Sequence, residues 1–247
     1  DGRLLGQLTR GPDRLRPEVR LLLPEEVGAG ARSRLQRRLV AWSRDLVAEL
    51  CAPLRVAPGV ALGAAARGLL YQLEQGLGTV PVGSAARELE LLEASDREQL
   101  SARGIVVGLH YVFVRSLLRP PAIAWRVALV AAQIGDARRA PSPPPGAVSL
   151  ARVAGIDAKC YLAVGYPLVG PRAVRVDVVE RVAAAIAAFV AGTAPDPSGR
   201  LPGWLGCPVA SARQIAAALG MPAESAGGER PQPRRRARRA ARPPTSG

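Results

Sequence analysis

The chain has 247 residues, 48% of them apolar, and a formal net charge of +14, a composition that excludes a wholly disordered protein. The charge comes almost entirely from arginine, because Lys159 is the single lysine. It predicts a polyanionic partner, nucleic acid above all and an anionic membrane surface second, although an arginine-rich coding bias would also place arginine on every surface.

Residues 1–135 are predicted to form a helical subdomain with a hairpin at its N-terminus. Two short apolar runs flank the turn "GPD" at 11–13 and predict the hairpin. Over 31–50, apolar residues at three- and four-residue spacing predict a long amphipathic helix with Trp42 on its apolar side. The other side of this helix is basic, and it is either a solvated exterior or a surface that faces RNA. Its arginines are Arg34, Arg37, Arg38 and Arg44.

Three more helices are predicted before residue 105. The first covers 62–77, with leucines on its inner side and Gly78 at its end. The second runs over 85–93. Ser95 and Glu98 have the spacing of a capping box, and they predict the start of a short third helix.

The apolar stretch that follows gives a weaker pattern. Residues 105–109 are predicted as a strand and 112–118 as a helical turn. The next helix has Pro121 in its first turn, where the missing N–H costs nothing, and Gly135 at its end.

The proline-rich stretch 136–146 excludes both a helix and a central strand, and predicts a linker. Residues 147–222 are then a small subdomain of a hairpin and helices, with the last helix over 209–219. The composition of 223–247 predicts a disordered, arginine-rich tail. The predicted fold class is therefore mainly α with a few short β-strands or hairpins (α+β), with a disordered basic C-terminal tail.

The segment "GPRAVRVDVVER" at 170–181 is locally well specified. A Gly-Pro-Arg turn between valine-rich runs predicts a compact hairpin, and Asp177 with Glu180 predicts the start of a helix over 178–190. Asp177 and Arg181 have the spacing of a favourable ion pair, which contributes about 0.2–0.5 kcal/mol on an exposed face.

We assign no catalytic or metal-binding residue. Lys159 lacks the preceding glycines and following hydroxyl of a phosphate-binding loop. His110 is the only histidine, and its apolar neighbours predict a packed core residue rather than the base of a hydrolase. The three isolated cysteines match no zinc-site spacing and suit a reducing cytoplasm. The apolar runs are shorter than the roughly 20 residues that cross a bilayer, so we expect a soluble chain.

The tail predicts contact with nucleic acid. Residues 230–247 contain seven arginines and no acidic residue, and flexible arginines can follow an irregular RNA backbone. The candidate phosphate contacts in the tail are Arg234, Arg235, Arg236, Arg238 and Arg239. Arg172 and Arg175 in the predicted hairpin are further candidates, and the alternative for both is a structural role in binding loop carbonyls. The low aromatic content gives no evident stacking platform.

Four segments occur in an order that resembles the C-terminal region of bacterial DEAD/DEAH-box (superfamily 2) helicase-related proteins, relatives of the mitochondrial degradosome RNA helicase. The segments are "ARGLLYQLEQGLGTVP" (66–81), "RGIVVGLHYVFVRSLLRP" (103–120), "GYPLVGPRAVRVDVVERVA" (165–183) and "LGCPVASARQIAAALG" (205–220). Pro208 departs from the pattern, because a Ser-like helix cap is expected there.

The resemblance implies a helical accessory region that packs on or extends an RNA helicase motor and guides RNA. The motor motifs of such proteins lie upstream of this region and are not in this sequence, so ATP and Mg²⁺ are expected only there. Because the single methionine is Met221, we expect the sequence to be part of a longer protein. The alternative function is a module that docks a nuclease or a ribosomal partner without touching RNA.

Overall fold

The computed structural model describes residues 4–56 and 61–222, and the predicted tail lies outside them. The described residues form an α+β fold in which helices predominate, as the sequence predicted. The helices are α1 Ala29–Leu50, α2 Ala64–Gln75, α3 Ala86–Glu90, α4 Ala94–Ala102, α5 Pro120–Ile134, α6 Ala158–Ala163, α7 Val176–Val190, α8 Leu201–Leu205 and α9 Val209–Ala218. The strands are β1 Gly6–Asp13, β2 Arg16–Leu21, β3 Thr79–Pro81, β4 Ile105–Val107, β5 Tyr111–Val114, β6 Ser149–Ala151, β7 Leu168–Val169 and β8 Arg172–Val174.

These strands form three small antiparallel sheets. The first is the predicted N-terminal hairpin of β1 and β2, the second has the order β3-β5-β4, and the third has the order β6-β8-β7. The helical turn predicted over 112–118 is wrong in its first half. Val112 and Phe113 pair with both β3 and β4 and are buried, so this apolar run is a central strand. Only Arg115–Leu118 is a 3-10 helix.

Helix α1 contacts β2, and α5 contacts β1, so the hairpin packs on both helices. The buried side of α1 is centred on Ser43 and Val47. Trp42 was predicted on the apolar side, and this prediction is wrong, because its side chain is 55% exposed. At 100° per residue, Trp42 lies well to one side of the buried direction, and its ring contacts that of Trp125 on α5.

Helix α2 supplies the centre of one buried cluster through its leucines. The helix ends at Gln75, and the chain then reverses through Leu77 and Gly78 with φ of +50° and +90°. The Gly78 N–H donates to the Leu73 carbonyl. A Cβ at Gly78 would lie 2.3 Å from the Leu117 side chain, so this position requires glycine for its conformation and for its space.

The predicted capping box of α4 is not formed. The helix begins at Ala94 with Glu93 as its N-cap and without a side-chain cap. Asp96 turns inward instead, and its buried carboxylate accepts the Gly63 N–H at 2.9 Å. The local S-x-x-E pattern was outweighed by a contact with a residue 33 positions away.

Helix α5 agrees with its prediction. Its first turn contains two prolines, and Gly135 closes it in the left-handed conformation at φ 77°. The proline-rich stretch contains one short 3-10 turn at Ala137–Arg139, capped by the Asp136 carboxylate.

Segments before and after the proline-rich stretch share one buried cluster. Val47 of α1 and Ile123 of α5 belong to the same cluster as Tyr161, Tyr166 and Ala173. Both tyrosine hydroxyls are satisfied, because that of Tyr161 accepts the Val153 N–H at 2.8 Å and that of Tyr166 donates to the Ala147 carbonyl at 2.6 Å. The described residues on the two sides of the predicted linker therefore have a common core.

A buried arginine lies between the two segments. Arg126 of α5 is 3% exposed, and it donates to the Ala163 carbonyl and the Thr79 hydroxyl at 2.8 Å and to the Leu117 carbonyl at 3.3 Å. Burial lowers the pKa of Arg126 to about 9, which leaves it charged at pH 7. No carboxylate pairs with it among the described residues, so neutral oxygens compensate this charge.

Candidate nucleic-acid interface

The first half of α1 carries a concentrated group of arginines. No acidic residue occurs over 27–44, a stretch that holds five arginines. Arg32 is turned inward, and it donates to the Val27 carbonyl at 3.0 Å and to the carbonyls of Leu23 and Pro24. It thereby fixes the incoming loop to the start of the helix.

The remaining arginines of this stretch face solvent. Arg34, Arg37 and Arg38 are exposed, and no ion pair involves them within the described residues. The Nε of Arg37 lies 3.4 Å from the Ser33 carbonyl of its own helix, a long contact. Arg44 is nearest to a carboxylate, with Nε 3.4 Å from Asp45. We call Arg34, Arg37 and Arg38 the arginine face of α1.

Trp42 lies beside the arginine face, one helical turn beyond Arg38. Its ring meets that of Trp125 on α5 at a centroid distance of 5.4 Å and an interplanar angle of 60°, a tilted aromatic contact. The exposed remainder of the indole therefore lies next to exposed guanidinium groups that have no carboxylate partner in the described residues.

Arg172 is half-buried and has a structural partner. Its Nε donates to the Ser149 hydroxyl at 3.1 Å, and that hydroxyl donates to the Leu205 carbonyl at 2.6 Å. The turn before it is packed, since a Cβ at Gly170 would lie 3.3 Å from the Gln214 carbonyl of α9. The predicted hairpin is thus present and packs against the last helix, and Arg172 connects β8 to β6.

Arg175 is already paired with a carboxylate. Its Nε and Nη2 donate to the two carboxylate oxygens of Asp177 at 2.6 and 2.9 Å, and this hydrogen bonding raises the pKa of Arg175 above its ordinary value. The structural alternative predicted for this arginine named loop carbonyls, and the partner is instead a side chain two residues away. Any phosphate at Arg175 would have to compete with Asp177.

The predicted helix start at Asp177 and Glu180 is wrong in its details. Helix α7 begins at Val176 with Arg175 as its N-cap and no side-chain cap. Asp177 pairs with Arg175 and not with Arg181, whose guanidinium instead lies 5.3 Å from the ring centroid of Trp204. The short-range pattern identified the helix correctly but assigned the wrong partners to its charged residues.

Glu180 holds the turn between β4 and β5. Its carboxylate accepts the backbone N–H groups of Leu109 at 2.5 Å, His110 at 3.0 Å and Tyr111 at 2.8 Å. His110, predicted as a packed core residue, is exposed in this turn. The prediction was wrong because its apolar neighbours belong to two paired strands, and His110 lies between them where the chain reverses.

The described residues contain no group of three His, Cys, Asp or Glu side chains able to hold a metal ion. Cys51 is buried among apolar side chains, and burial raises the pKa of its thiol to about 11, which makes it a poor nucleophile. Over the same residues, no helix combines the length and apolarity needed to cross a membrane. The tail candidates from Arg234 to Arg239 lie outside the described residues.

Sequence reasoning missed the outward position of Trp42 and the role of Glu180. A helical wheel centred on Ser43 and Val47 would have placed Trp42 correctly, but Ser43 is polar and did not mark the buried side. Glu180 lies about 70 residues from its partners, and no local pattern signals such a contact. Comparisons with protein-family models, curated proteins and solved structures give no match for this chain. The helicase resemblance therefore stays a prediction from sequence.

Proposed function

We propose that this chain is an accessory region of an ATP-dependent RNA helicase in the cytoplasm, and that it binds single-stranded RNA through the arginine face of α1. The single observation that carries the proposal is the group of exposed arginines, Arg34, Arg37 and Arg38, without carboxylate partners in the described chain. ATP hydrolysis belongs to a motor in the upstream part of the full protein.

The chemistry of the guanidinium group supports a phosphate ligand for these arginines, because guanidinium groups bind phosphate bidentately. Arg34 and Arg38 are separated by about 6 Å along the helix axis, so both can contact one strand.

Other arginines are secondary contacts in this proposal. Arg172 and Arg175 lie at the hairpin but have protein partners, so they add less than the arginine face. The tail arginines Arg234, Arg235, Arg236, Arg238 and Arg239 would increase affinity without sequence preference.

The reference protein for the test, called the parent, is the full-length chain with its seven tail arginines replaced by glutamine. The test variant replaces Arg34, Arg37 and Arg38 of the parent with glutamine as well. Neutralised phosphate contacts on single strands contribute about 0.7 each to the slope of log affinity against log salt, so the slope should become shallower by about 2. Binding of a labelled single-stranded RNA over roughly 50–200 mM salt measures it.

A matched control removes the same charge elsewhere. Arg87, Arg152 and Arg213 are exposed on α3, on the loop after β6 and on α9, and their triple glutamine variant should keep the slope of the parent within about 0.5. Equal slopes for both triple variants would show that net charge, and not the arginine face, determines binding, which contradicts the proposal.

The docking alternative has one observation in its favour. Val107 and Leu109 are 45% and 56% exposed at the turn that Glu180 holds, and fixed apolar side chains of this kind suit a protein partner. Docking at this turn would respond weakly to salt. Replacement of Leu109 by serine should then weaken association with the partner while RNA binding stays unchanged.

A further inference from the structure

Trp42 leaves a large part of its ring exposed to solvent. Of the three tryptophans, Trp125 and Trp204 are half-buried, whereas Trp42 is 55% exposed. Leaving a large aromatic surface in water forfeits burial energy. The neighbouring turn of the same helix carries Arg38, and the turn before that carries Arg34. The exposed indole therefore lies one and two helical turns from two exposed arginines.

We propose that Trp42 stacks on an unpaired base, so that the arginine face of α1 selects single-stranded nucleic acid over duplex. This inference rests on the proposed function and specifies its ligand. Base stacking on an aromatic side chain needs an accessible ring and a base outside a helix. Trp42 offers the ring, and Arg38 lies one turn away to bind the phosphate of an adjacent nucleotide.

Trp125 prepares this surface for binding. The tilted contact with Trp125 at 5.4 Å limits the positions of the Trp42 ring before any ligand arrives, which lowers the entropy lost when a base stacks on it. A duplex cannot use the ring in this way, because its bases are already stacked and the deep, narrow major groove of RNA excludes side chains. Duplex can contact only the arginines.

The experiment uses the full-length parent with the glutamine tail and three probes of equal length. These are a single-stranded oligouridylate, an abasic ribose-phosphate oligomer and an RNA duplex. The parent should bind oligouridylate about tenfold more tightly than the abasic oligomer. Trp42→Ala should lose that preference and bind both single strands like the abasic probe, and Trp42→Phe should keep part of it.

Tyr71→Ala is the matched control, because Tyr71 is 63% exposed on α2, away from the arginine face. It should bind all three probes like the parent. Urea denaturation checks that each variant is folded, and Trp42→Phe, which keeps an aromatic ring against Trp125, provides the readout if Trp42→Ala is unstable.

The outcomes separate this inference from the proposed function. If the parent binds oligouridylate and the abasic oligomer equally, with a steep salt slope, the arginines bind phosphate and the stacking proposal is wrong. Equal oligouridylate affinity for the parent, Trp42→Phe and Trp42→Ala would also overturn it. If the parent binds none of the probes, the proposed function itself fails.

Discussion

Arg126→Ala should lower the free energy of unfolding by about 3 kcal/mol. The substitution removes three hydrogen bonds from a charged donor, each of which contributes about 1.5–3 kcal/mol, and leaves the Ala163 and Leu117 carbonyls buried without this donor. Relief of the buried charge offsets part of the loss. The backbone is shaped around the guanidinium, since a Cβ at Gly165 would lie 2.6 Å from Nη1 of Arg126.

Urea denaturation monitored by circular dichroism measures the change, provided that the m-value of the variant matches that of the parent. Arg119→Ala is the control. Arg119 precedes the first residue of the same helix and is exposed, so its removal should change stability by less than about 0.5 kcal/mol. A loss below about 1 kcal/mol for Arg126→Ala would mean that the two segments do not depend on this residue for their association.

Glu180→Gln should lower stability by about 2 kcal/mol, the second large effect. The carboxylate accepts three backbone N–H groups, and bonds to an ionised acceptor are stronger than neutral ones. Glutamine keeps the shape but offers one acceptor oxygen, and its NH₂ group faces donors. The turn between β4 and β5 should therefore open more often.

Amide hydrogen exchange locates this effect. The N–H groups of Leu109, His110 and Tyr111 should exchange faster in Glu180→Gln, while those of the α2 core change only with global stability. Glu90→Gln is the matched control, because Glu90 is exposed on α3 and should leave both readouts unchanged. Unaltered exchange at residues 109–111 in Glu180→Gln would contradict the role assigned to this carboxylate.

Helical periodicity and turn residues made most of the fold predictable from sequence. Helix α5 was predicted well because its start and end carry proline and glycine, which act through backbone geometry alone. The hairpin of β7 and β8 was predicted for the same reason, since Gly170 adopts φ +59°. Local signals of this kind depend on a few adjacent residues, so no tertiary contact is needed to interpret them.

The wrong predictions concern side chains whose partners are distant in sequence. Glu180 matched a capping pattern, yet it accepts backbone N–H groups about 70 residues away. Asp96 lies between the predicted capping residues of α4, and it accepts the Gly63 N–H 33 positions away. An acidic side chain near a helix start can satisfy its own helix or another element, and only the tertiary fold decides between them. The candidate site was half predictable, because the arginines of α1 are evident in sequence while the exposure of Trp42 depends on how the helix is rotated against β2 and α5.

The most direct test of the central claim maps where RNA contacts the full-length chain. A single-stranded RNA containing 4-thiouridine is photochemically cross-linked to the protein, and the modified peptides are identified by mass spectrometry. We predict cross-links within Ala29–Leu50, centred on Trp42, in addition to any in the tail at 230–242. Cross-links confined to the tail or to the hairpin at 170–175 would contradict it, because α1 would then be a solvated exterior and not an RNA-binding surface.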